Sequence, residues 1–127
     1  MKFEYDRSFT FKVNEDSWSG YLITEEEATE LDEKINNTTT SFRALTLTGT
    51  DGKCIFFVEG SVTKDVVTHE LFHIYVSYFH LDSADVSVEQ FEEIIAEFLE
   101  ANLDKFIKKR NSIYNKLKKL EDSGGPA

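Results

Sequence analysis

Cysteine is nearly absent from this 127-residue chain: Cys54 stands alone. No internal disulfide can form, and no cysteine-rich metal cluster can be built. A reducing cytoplasm is the expected setting. Long apolar runs are lacking too. None reaches the ~18 residues that a membrane span needs. The first residues, Met1-Lys2-Phe3-Glu4-Tyr5-Asp6, carry acids where an export signal has its apolar core. Neither export nor membrane insertion is therefore expected. Positive charge is scarce, with 14 Lys and Arg against 24 Asp and Glu, a net charge of −10. A body so acidic repels nucleic acid, and no nucleic-acid partner is expected.

The charge is uneven. Residues 1–60 carry −6, residues 61–104 carry −9 and residues 105–127 carry +5. The basic end could attract an acidic surface, although a solvated helix face is the simpler reading. What the chain has in quantity is core material: 40% hydrophobic and 13% aromatic residues, including eleven Phe. That suits one packed domain, taken as 1–122, with 123–127 as a flexible polar tail.

Phe3, Tyr5, Phe9, Phe11 and Val13 alternate with polar residues, a period of two that predicts a strand with a break near Arg7. Asn14 to Ser17 reads as a turn. A second strand is expected over Trp18–Ile23, with Gly20 marking a bulge. Thr24-Glu25-Glu26-Glu27 is a capping box that opens a helix over 25–36. Phe42–Thr48 and Cys54–Val58 read as strands joined at the Asp51-Gly52 hairpin signal. Ser61 is placed to cap a helix over 62–80, which no Gly or Pro interrupts and which is apolar nearly all round, as a buried helix is. Ser87-Val88-Glu89-Gln90 is a second capping box. The helix after it carries a stripe of Phe91, Ile94, Ile95, Phe98 and Leu99. It continues to Leu120, in one piece or broken near Asn102-Leu103-Asp104, with a polar tail from Glu121.

The helix over 62–80 holds the pattern that matters most: His69-Glu70-Leu71-Phe72-His73, or H-E-x-x-H. A shuffled chain of this composition would show it roughly once in a hundred, so the motif carries weight without being decisive. Residues i and i+4 share a helix face, so His69 and His73 can grip one zinc ion. Glu70 then stands beside the metal, where it can take a proton from a water. Two inward-facing histidines and a glutamate on a buried helix would also need polar partners, and a metal provides one. The strand before the helix is compatible with a sheet edge that holds an extended substrate. His80 lies seven residues beyond His73, about 10.5 Å along an intact helix, too far to share one ion.

From residue 54 to 107 the chain resembles the gluzincins, and in Phe91-Glu92-Glu93-Ile94-Ile95-Ala96-Glu97-Phe98 it also resembles small zincins encoded by phages and mobile elements. The resemblance implies a third zinc ligand from the next helix, Glu93, twenty residues after His73, with Glu97 supporting His69. On a helical wheel, however, Glu93 lies nearly opposite Phe91, Ile94 and Phe98, while Glu92 borders the apolar stripe, so Glu92 remains an alternative ligand. Tyr75, Tyr78, His80 and Tyr114 are candidates for stabilising an oxyanion.

The expected fold is thus α+β and zincin-like: a small antiparallel sheet, the H-E-x-x-H helix, then one or two further helices. The expected activity is hydrolysis of peptide bonds in a protein or peptide substrate through a metal-activated water, with Zn2+ as cofactor. Two other readings stay open. One is a catalytically idle zincin fold used for binding. The other is an acidic interaction protein of the phage anti-defence kind, in which the motif is incidental.

Overall fold

The computed structural model describes residues 5–13, 15–36, 42–47, 53–79 and 87–123. The alternating N-terminal pattern forms β1 (Ser8–Val13), which pairs antiparallel with β2 (Asp16–Ile23). Val13 faces Asp16 across a two-residue connection, where Glu15 takes the left-handed φ of 71° that such tight turns require. The register runs through Gly20 without interruption, so the expected bulge does not form. The glycine instead makes room for an aromatic ring, since a Cβ here would overlap Phe9.

The first capping box is made in full. The Thr24 N–H donates to Glu27 Oε1 at 2.9 Å, and the Glu27 N–H donates to Thr24 Oγ1 at 3.1 Å. It opens α1 (Glu25–Asn36), which is followed by β3 (Ala44–Leu47) and β4 (Cys54–Val58). The strand order is β1-β2-β4-β3. β4 lies antiparallel to β3 but parallel to β2, with Tyr21 beside Phe56. The sheet is therefore mixed, which corrects the expectation of an antiparallel one. A parallel pair needs a long crossover, and α1 lies in the chain between its two strands. The expectation of β4 as a sheet edge also fails: β4 is central, and β3 is the edge strand. All five residues of β4 are buried, as an unbroken apolar run demands when both faces of a strand are covered.

The two faces have separate cores. Cys54, Phe56 and Val58 pack with Ile23 and with Ala28 and Leu31 of α1. Ile55, Phe57 and Leu22 point the other way, into a larger cluster with α2 (Lys64–Phe79) and α3 (Val88–Ser123). The cap of α2 is Thr63, not Ser61: Thr63 Oγ1 accepts from the Val66 N–H at 3.1 Å. The second capping box forms as expected, with Ser87 and Gln90 exchanging bonds of 2.8 and 3.1 Å.

α3 is one helix of 36 residues with no break at Asn102, whose side chain donates to the Phe98 carbonyl one turn back. At 1.5 Å per residue it is about 54 Å long, more than twice α2. Its N-terminal half is only partly covered. Phe98 is buried, yet Phe91 and Leu99 are each 44% exposed and Ile94 and Ile95 are half-buried, so of the expected core stripe only Phe98 is fully covered. Its C-terminal half is the anchor: Ile113 and Leu117 are fully buried. Glu121 belongs to the helix rather than to a tail, and its Oε2 accepts from the Gly60 N–H at 2.9 Å. Gly60, with φ 83°, sits in the turn between β4 and α2. No helix among the described residues is long and apolar enough to cross a membrane.

Candidate metal centre

β4 delivers the chain to the Glu59-Gly60 turn, Thr63 caps α2, and the next turns carry the motif. His69 and His73 stand one helical turn apart, edge to face, with ring centroids 4.8 Å apart and planes at 79°. Their Nε2 atoms are 3.2 Å from each other. Two nitrogens bound to one tetrahedral zinc at ~2.05 Å would lie about 3.3 Å apart. The pair is thus spaced as zinc ligands are. An N–H···N bond would hold the same spacing, but it would form between rings open to water, where such bonds add little net stability. Both histidines are exposed, His69 to 69% of its side chain. The expectation that burial forces a partner on them therefore does not hold. They line a surface cleft instead.

The buried member is Glu70. Its side chain is 10% exposed. Its Oε2 stands 3.8 Å from His69 Nε2, and its Oε1 accepts a hydrogen bond from Thr46 Oγ1 at 2.9 Å. Thr46 belongs to β3, so the edge strand fixes the carboxylate. One donor atom from each of His69, Glu70 and His73 lies within 4.8 Å of the others.

Two cavities meet at His69. One, of about 530 Å³, is lined by Asp65, Thr68, His69 and His73 on α2, with Phe72, Phe98, Leu99, Leu103 and Phe106 as its apolar wall. The other, of about 620 Å³, is polar and lies between β3 and the start of α2, with Arg43, Asp65, Thr63, His69 and Glu70 in its lining.

α3 turns Phe98, Leu99, Leu103 and Phe106 toward this site. Glu93 and Glu97 are exposed on α3 and lie outside the His69–Glu70–His73 group among the described residues. Glu92 is exposed as well. It precedes Leu99 by seven residues, two turns, and so shares the stripe that faces the cleft. Of the oxyanion candidates, Tyr75 packs against Phe98 and Phe106 at centroid distances of 5.2 and 5.3 Å. Burial pushes its hydroxyl above the usual range. Tyr114 sits beneath the ammonium groups of Lys64 and Lys118. Neither lines the two cavities. His80 and the side chain of Tyr78 lie outside the described residues.

Three residues at the site escaped the sequence. Asp65 had a legible signal, standing four residues before His69 on the same helix face. Thr46 and Arg43 had none, because only the pairing of β3 with β4 brings them beside α2. The donor set fits a zinc ion in chemistry and spacing, with two imidazoles and a carboxylate beside them. No family model, no curated protein and no solved structure matches the chain.

Proposed function

We propose that this protein is a zinc-dependent peptidase. The observation that carries the reading is the 3.2 Å separation of the two Nε2 atoms beside a buried, hydrogen-bonded carboxylate. His69 and His73 would hold the metal, with a carboxylate from the acidic first turns of α3, Glu93 or Glu92, as third ligand and Glu97 behind His69. Bound zinc would supply Lewis acidity toward a peptide carbonyl and a water.

The chain's own residues do the rest. Glu70 takes the proton of the attacking water and passes it to the leaving amine. The Thr46 hydroxyl aims the carboxylate, leaving Oε2 toward the histidines. Arg43, which shares the polar cavity with Glu70 and His69, is the cation placed to meet negative charge developing on the carbonyl oxygen. Among the described residues β3 pairs on one side only, with β4, and its other edge, beside α2, is where an extended substrate segment can add as a further strand.

The test is metal content of protein purified without added zinc, for wild type and His73→Ala, followed by peptide cleavage with Glu70→Gln. The reading expects about one zinc per chain, lost in His73→Ala, and cleavage abolished in Glu70→Gln with zinc retained. A wild type that takes up no zinc even on reconstitution would refute it. Zinc binding without cleavage of any peptide would leave a zincin fold used for binding.

A further inference from the structure

A third cavity lies away from the histidines, on the side of the molecule where α3 crosses β1. It measures about 440 Å³ and is lined by Lys12 of β1 and by Lys105, Lys108 and Lys109 of α3, with Val13, Tyr75, Asn102 and Ser112. Four lysines therefore line one concavity in a chain of net charge −10.

The other described lysines of this region have partners. Lys118 pairs with Glu121 at 3.0 Å, Lys116 donates to the Thr10 carbonyl at 3.1 Å, and Lys53 pairs with Asp16 at 3.1 Å. None of the four cavity lysines has a carboxylate within 4.0 Å among the described residues. Asp104 precedes Lys108 by one helical turn but makes no ion pair with it. Like charges at i, i+3 and i, i+4, as in Lys105 with Lys108 and Lys109, weaken a helix. An arrangement that places cations together and withholds the abundant anions calls for an external anion.

The chemistry of the groups narrows the class. The cavity lining holds no Arg, the residue whose flat fork matches carboxylates two bonds at a time. Lysine acts as a point charge, which suits the tetrahedral, multiply charged oxygens of phosphate. Asn102 and Ser112 add neutral hydrogen-bonding groups. A concave volume of this size suits a compact ligand rather than a long polymer. The negative body does not prevent binding. Its charges are spread over the molecule and are screened beyond about 8 Å at physiological salt, whereas the four lysines line the site itself.

We propose that this cavity binds a compact, multiply phosphorylated small molecule. The proposal does not depend on the zinc site. The test is calorimetric titration of the full chain with inorganic tripolyphosphate at about 50 and 150 mM salt. The wild type is expected to bind saturably at one site, more weakly at the higher salt. The double variant Lys105→Gln, Lys109→Gln is expected to lose roughly tenfold or more in affinity. These side chains stand at the surface, and an unchanged circular dichroism spectrum will confirm the fold. Lys34→Gln, on the remote α1, should bind as the wild type does. Three outcomes would overturn the proposal: no binding at the lower salt, equal binding by the double variant, or an equal loss in Lys34→Gln. A single-stranded oligonucleotide forms the further arm. Tight binding of that polymer with none of tripolyphosphate would also overturn it, in favour of an extended surface.

Discussion

Replacing Thr46 by Val removes one hydroxyl and keeps the shape and β-branching that suit a strand. The hydroxyl donates to Glu70 Oε1 at 2.9 Å. The Glu70 carbonyl oxygen, at 3.4 Å, is a poorer second target for the same hydrogen. The acceptor is a carboxylate only 10% exposed, so water replaces the lost donor poorly. Bonds to charged groups contribute about 1.5–3 kcal/mol. Because the neighbouring cleft still admits some water, which partly replaces the lost donor, the loss falls around and just below the low end of that range, roughly 1–2 kcal/mol. For a domain of this size that lowers Tm by about 3–8 °C. The assay is urea unfolding in EDTA, so that metal plays no part, run as a double-mutant cycle with Glu70→Ala. The expected coupling is about 1–2 kcal/mol, well above the ~0.5 kcal/mol scatter of independent sites. Coupling within that scatter would mean that β3 does not hold the carboxylate, and the account of how Glu70 is aimed would fall.

Gly20→Ala forces the Phe9 ring off the sheet and should cost about 1–2 kcal/mol in urea denaturation. The cost should shrink in a Phe9→Ala background, where the ring is gone. Burial alone would raise the Glu121 carboxyl, but the Gly60 N–H and the Lys118 ammonium outweigh it and hold it below the ordinary value of 4.5. Its contribution is then present above pH ~4.5 and fades as pH falls through the lower folded value. Glu121→Gln should cost about 0.5–1 kcal/mol at pH 7 and nothing in strong acid, as read by thermal melts across pH. Burial pushes the Cys54 thiol from 9.0 up to about 11. Native protein should therefore resist iodoacetamide at pH 8 while urea-unfolded protein reacts, and stability should fall between pH 9 and about 11 as the folded state resists losing that proton.

The sequence was most legible where the signal is local. Both capping boxes, the α1 boundaries and the span of β4 follow from residues within a few positions of one another. The His69–His73 spacing is of the same kind, because helical geometry alone sets it. What stayed hidden depends on distant partners. The alternation of β1 shows which face is buried but not which strand lies alongside, so the parallel pairing of β2 with β4 could not be read. The apolar stripe of α3 reads as core because sequence shows hydrophobicity, not coverage. α2 is less than half as long and covers only part of it. Thr46 reached Glu70 unannounced for the same reason: 24 residues separate them, and only the sheet brings them together.

The anchoring of α3 bears on the order in which the molecule can assemble. Lys116 meets the Thr10 carbonyl across 106 residues, and Ile113 and Leu117 close the same cluster that holds Phe11, Trp18 and Leu22. During synthesis the hairpin and the histidine helix leave the ribosome well before those residues do. Their apolar faces must wait uncovered, and contacts so distant along the chain form slowly. The metal grip is written in five consecutive residues, yet the surface that supports it closes only when nearly all of the 127 have emerged.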